Sequence, residues 1–171
     1  MSFGHLLFGF TGRVNRAKVW LFSLAAFVAW TVIVVATVSV VATGQGSMIG
    51  PSAQGNTQLR MLLESALLPV LLTGVFAIVA FYCCLAVFAK RLHDRNKSAW
   101  WLLVFILGPG LVSGLGGALS IRDTDIGTDL GGLCVLIASG IYIWGLVEFY
   151  LLPGTAGDNR YGTDPIAGGG R

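Results

Sequence analysis

His93 and Asp94 are the adjacent pair in this chain that could carry acid/base chemistry near neutral pH. With a lipid or isoprenoid at a membrane surface as substrate, they would be the acid and the base. Their spacing argues against it. Successive residues on a helix point about 100° apart and do not face one another. No nucleophile motif accompanies them, and His5 is a lone second histidine. Asp123, Asp125 and Asp129 lack the calcium-loop spacing and its closing glutamate. Cys83, Cys84 and Cys134 lie inside apolar runs without a Cys-x-x-Cys, so they read as packing residues. The sequence therefore leads to no catalytic residue, no metal and no cofactor, and it leans away from an enzyme.

A second kind of chemistry is carried by cations. Arg13, Arg16, Arg91, Arg95 and Arg160 lie outside the apolar runs, and such a cluster can hold a lipid phosphate or another anion. The competing reading is that they are ordinary cations, solvated by headgroups or paired within the protein. Asp94 and Glu148, with His93 beside them, are the expected partners in cap ion pairs. Arg16 and Lys18 fall at a positive helix N-terminus and Glu148 near a negative C-terminus, each the unfavourable end for its sign. Pairing of Glu148 or Asp94 with Arg13, Arg16 or Arg91 would remove those penalties.

The elements that position these residues follow from composition. Of 171 residues, 55% are apolar and only 11% charged, against about a quarter charged in soluble domains. The chain reads as an all-α polytopic membrane protein, with four transmembrane helices in a bundle under a polar cytoplasmic cap. It forms a single domain over 1–171, with spans at about 19–43, 65–89, 99–119 and 130–152 and a tail over 153–171. The first run is too long for a cleaved signal segment and long enough to remain in the bilayer. Met1–Lys18 leads in with an apolar group suited to the interface or to a loose terminus. Gly44–Asn56 is a Gly-rich loop, and Arg60 and Glu64 form an i,i+4 pair at the helix restart. Pro69 either kinks the second span or sits in its first turn. Gly108-Pro109-Gly110 interrupts the third span, and Gly110 and Gly114 suit close helix packing.

Ala89–Trp101 joins the second and third spans. Asn96 suits a left-handed helix end and Ser98 an N-cap, giving a tight helix hairpin. Asn15 is the expected N-cap of the first span. Trp20, Trp100 and Trp101 are interface anchors. Nine Lys/Arg fall on the side of the termini and the hairpin, and only Arg60 and Arg122 on the other. The positive-inside rule then puts both termini in the cytoplasm.

Three motifs resemble a known family. Phe10-Thr11-Gly12-Arg13-Val14-Asn15-Arg16 with Trp20, Arg91-Leu92-His93-Asp94 with Ser98-Ala99-Trp100-Trp101, and Gly154–Pro165 are similar to the ordered motifs of domain-of-unknown-function family 805. Ala99 stands where that family usually has Gly. The resemblance implies a small multi-pass protein of the bacterial inner (cytoplasmic) membrane and no assigned activity. The reading favoured is a non-enzymatic accessory or scaffold module. Its cationic cap would meet the bilayer, anionic phospholipid, or a membrane protein partner or second copy of itself, and not nucleic acid. The alternatives are a small oligomeric transporter or channel, disfavoured by the scarcity of intramembrane charge, and a membrane lipid-modifying enzyme.

Overall fold

The structure is a computed structural model that describes the backbone of residues 3–46, 55–121 and 125–166 and the side chains of 4–43, 66–121 and 125–166. Among the described residues the secondary structure is helical, apart from one isolated bridge between Asn159 and Gly162. Helix α1 spans Phe3–Phe8, α2 Arg16–Gly46 and α3 Gly55–Asp94. A π-helical turn, Leu103–Leu107, leads into α4, Gly108–Ser120. Helix α5, Asp125–Leu146, ends in a second π-helical turn, Val147–Leu151. The segments Arg16–Thr43, Ala66–Asp94, Leu103–Ser120 and Asp125–Leu151 are long and apolar enough to cross a bilayer. The protein is an all-α, polytopic membrane protein. At 1.5 Å rise per residue, the 40 residues of α3 reach about 60 Å, twice the hydrocarbon core.

The chain divides into two compact units, Met1–Trp20 with Cys84–Arg171, and Leu21–Cys83. In the larger unit α4 and α5 meet through glycine. A Cβ on Gly116 would lie 2.7 Å from Cys134 Cβ and 2.9 Å from the Gly131 carbonyl, so only hydrogen fits there. A Cβ on Gly131 would strike the Ser120 hydroxyl. This contact replaces the one expected at Gly110 and Gly114, which meet nothing within 4 Å. Nor does Gly108-Pro109-Gly110 break the span. Pro109 follows the π-helical turn at the start of α4, and Gly108 keeps right-handed helical angles, so the helix runs on through the motif. An aromatic cluster fills the space under the hairpin. Phe105 lies edge-on to Trp144 and Phe149, with centroids at 5.1 and 5.5 Å, and Phe88 stacks on Phe149 at 4.6 Å. Ala89, Leu92 and Leu102 complete it.

In the unit Leu21–Cys83, Trp30 stacks near Phe76, and the hydroxyls of Thr37 and Thr73 share a 2.6 Å hydrogen bond. Pro69 lies well inside α3 rather than in its first turn, because the helix begins at Gly55. The Arg60–Glu64 side chains, most of the Gly44–Asn56 loop, Arg122, Asp123 and Arg171 lie outside the described residues.

Candidate functional site

The polar cap is built around one helix end. The last four carbonyls of a helix have no partner of their own, and here the run from Phe149 to Pro153 is met by cations and an indole. Arg91 donates from Nε to the Phe149 carbonyl at 3.0 Å and from Nη2 to that of Leu152. Arg16 donates to Leu151 at 3.3 Å, Trp20 Nε1 to Tyr150 at 3.2 Å, and Arg95 to Pro153 at 2.7 Å. Positive charge is favourable at this end of the dipole. The π-helical turn closes through the Leu152 amide, which donates to the Val147 carbonyl at 3.1 Å, and Leu152 then runs extended.

Asp94, the last residue of α3, is the hub. Its Oδ1 accepts from Arg13 Nε at 3.1 Å and its Oδ2 from Arg91 Nη1 at 2.6 Å. All three side chains are buried, at 3% exposure or less. Its carbonyl accepts from both the amide and the hydroxyl of Thr155. Arg13 reaches further, donating to the carbonyls of Thr155 and Gly157 at 2.6 Å each and of Gly162 at 3.3 Å. One guanidinium thus ties the N-terminal lead-in to the hairpin and the tail. Gly154 is required beside it, since a Cβ there would run into the Asp94 carboxylate. Gly157 turns the tail at φ 74°, in the left-handed region that favours glycine.

Glu148 lies inside the second π-helical turn and is 1% exposed. Its Oε1 accepts from Arg95 Nε at 2.5 Å and from Lys97 Nζ at 2.7 Å. Lys97 also lies over the Trp101 and Trp144 rings, 5.1 and 5.7 Å from their centroids. Lys90 is fully buried and caps α1, donating from Nζ to the carbonyls of His5 and Leu6.

The candidate residues therefore divide. Arg13, Arg91 and Arg95, expected to face an outside anion, direct their N–H groups at the protein's own carboxylates and carbonyls. Arg16 and Arg160 are exposed, Arg160 lying against the Asn96 carbonyl and the Tyr161 ring. Glu148 pairs with Arg95 and Lys97 rather than with Arg13 or Arg91, which Asp94 holds, or with Arg16, which donates to the Leu151 carbonyl. His93 joins no ion pair among the described residues. Its ring stacks on Tyr161 at 4.0 Å and 6°, and its Nδ1 is buried without a hydrogen-bond partner. It forms no dyad with Asp94, whose oxygens are held by arginine.

Trp20 and Trp100 are exposed, and Trp101 is half-buried against Phe105 and Trp144. Asn96 takes φ 57° as expected, and the Asn15 side chain accepts the Lys18 amide at 3.1 Å. At Ser98 the carbonyl rather than the hydroxyl closes the turn, accepting the Trp101 amide. Thr155, Asn159 and Tyr161 were not among the candidates. Their signal was position within the tail motif, where Asn159 donates to the His93 carbonyl at 2.9 Å.

Residues 7–163 match the family model described as protein of unknown function (DUF805). The chain is 25% identical to the inner membrane protein YhaH of Escherichia coli (strain K12) over 157 residues, 92% of this chain and 87% of that one. It is 27% identical to the inner membrane protein YhaI of the same strain over 160 residues, 94% of this chain and 88% of that one. No solved structure matches.

Proposed function

The chain belongs to the DUF805 family, and from that premise we propose that it is a non-enzymatic accessory or scaffold module of a bacterial inner membrane. The relatives' names support the membrane. The cation bias supports a cap on the cytoplasmic side with both termini there.

One observation carries the non-enzymatic reading. The two carboxylates at the heart of the cap are committed to other parts of the chain, and the His93 ring is stacked on Tyr161. Asp94 is held by two arginines and Glu148 by Arg95 and Lys97. A catalytic carboxylate needs an oxygen aimed at substrate, and these are aimed at cations. The cap's work is to join lead-in, hairpin and tail into one fixed surface. Its exposed rim of Arg16, Lys18 and Arg160 then meets anionic headgroups, and a membrane protein partner or second copy binds beside it.

Full-length protein extracted with its native lipids tests this reading. Changing Arg16, Lys18 and Arg160 together to Ala is expected to lower co-purifying anionic lipid severalfold with little change in melting temperature. Unchanged lipid retention would remove the rim's role. Loss of a cellular phenotype in a well-folded His93→Ala variant would reopen the enzyme.

A further inference from the structure

His93 is 9% exposed, and its Nδ1 is buried with no hydrogen-bond partner. The ring's bond to the Gly12 backbone therefore falls to Nε2, which carries the proton of the neutral form. Nδ1 is then a bare lone pair. Buried polar atoms in folded proteins are nearly all paired, so an exception calls for a reason. The tail closes over this ring. Tyr161 stacks on it at 4.0 Å and 6°, and Asn159 donates to the His93 carbonyl at 2.9 Å.

A second proton has only Nδ1 to go to. There it makes a cationic N–H donor with no acceptor, a costly group to bury. The charges around the ring do not receive it. From the tail comes Arg160, a like charge that acts on the ring and lies 4.7 Å from the centre of Tyr161. Asp158 and Asp164 in the tail accept backbone amides. On the same helix, Asp94 is held by Arg91 and by Arg13 of the lead-in, and Lys90 donates to the carbonyls of His5 and Leu6. Arg95 beyond the helix end binds Glu148 and the Pro153 carbonyl. A cation also gains from an aromatic face and from the negative end of a helix dipole. The dipole acts whether or not the tail is docked, so it does not hold the tail down. The Tyr161 ring is shared with Arg160 already.

We propose that proton uptake by His93 releases the tail from the hairpin. Released, the ring protonates as an exposed imidazole does, near pH 6.5. Docking is therefore unaffected above that pH and weakens below it, because the released form binds the extra proton. One proton limits the effect to about tenfold in the docking equilibrium per pH unit. The fixed surface of the scaffold thus acquires a second, open state. The switch rests on the proposed cytoplasmic cap only for its signal, a fall in cytoplasmic pH.

The test is hydrogen exchange of the full-length protein in mild detergent between pH 8 and 5.5, corrected for the intrinsic effect of pH. The window stops above the ordinary carboxylate range. Amides of Thr155 to Gly162 are read, among them Thr155, which donates to the Asp94 carbonyl. Their protection is expected to be level down to pH 6.5 and to fall severalfold by pH 5.5, with α5 unchanged as the internal control. His93→Phe keeps a ring against Tyr161 but takes no proton, so its protection should stay level throughout. Arg160→Ala removes the like charge and should shrink the fall. No fall in the unaltered chain, or an equal fall in His93→Phe, overturns the proposal. If His93→Phe does not hold the tail at pH 8, nitrogen NMR of the chain's two histidine rings decides. His93 must then gain its second proton over the same pH range in which the tail loses protection. A ring that stays neutral while the tail comes loose, or protonates while it stays docked, overturns the proposal. An acid/base role in catalysis would be missed at neutral pH as well, whereas His93→Phe is expected to matter only in acid. Lipid retention by Arg16, Lys18 and Arg160 is read separately, so the switch and the scaffold reading fail independently.

Discussion

The polar cap and the unit Leu21–Cys83 use opposite means of holding a chain in place. In the cap, Arg13, Arg91, Asp94, Arg95 and Glu148 make directional, charge-assisted bonds at low exposure. Among the described residues of Leu21–Cys83 the side-chain bonds are between hydroxyls or from a hydroxyl to a carbonyl, as in the Thr37–Thr73 pair and the return of Thr73 to the Pro69 carbonyl. Most large apolar side chains of that unit are exposed, as lipid-facing residues are. Lipid tails are as apolar as leucine, so burial drives little association there and close packing must do the work. The cap has what the apolar segments lack, bonds that form in one arrangement only.

The largest way to break this contrast is at Asp94. Asp94→Ala removes the shared acceptor of two buried arginines, and stranding a buried charge costs about 3–5 kcal/mol. Thermal unfolding in a fixed detergent should show it, with Asp94→Asn nearly as damaging. Glu148→Gln should cost less, about 1–3 kcal/mol. Its partners Arg95 and Lys97 are 19% and 27% exposed, so water partly replaces the lost carboxylate. Gly154→Ala puts a methyl group against the Asp94 carboxylate. It should cost about 1–3 kcal/mol, and limited proteolysis should cut the tail sooner. Smallest is Thr73→Val, expected at about 0.6 kcal/mol, the mean for hydroxyl bonds in membrane helices. If Thr73→Val destabilised the protein as much as Asp94→Ala, the contrast between the regions would be wrong.

What the sequence made legible was whatever depends on local rules. Long uncharged runs marked the spans, Asn15 and Asn96 marked helix ends, and Gly154 to Pro165 marked a shaped tail. Two things were not local. Arg13's partners in the tail are the carbonyls of Thr155, Gly157 and Gly162, and backbone acceptors have no residue type to recognise. Glu148's choice of Arg95 and Lys97 depends on helical phase. The π-helical turn Val147–Leu151 resets that phase without a Pro or Gly to announce it. The glycine contact was misplaced for a related reason. Gly110 and Gly114 have the familiar spacing, but the α4 face that meets α5 carries Gly116, and Gly131 answers it from the other helix.

The Arg13 clamp also has a consequence in time. Its members are made in the order Arg13, Asp94, Thr155, so the ribosome releases the first two long before the third. Until Thr155 to Gly162 emerge, Arg13 lacks most of its acceptors and the Asp94 carbonyl at the end of α3 lacks the Thr155 amide and hydroxyl. A chain halted before that point would have its spans but not its clasp. The cap therefore marks synthesis carried through to Gly162, and a protease that reads exposed, unpaired backbone would tell a chain that carries this tail from one interrupted before it.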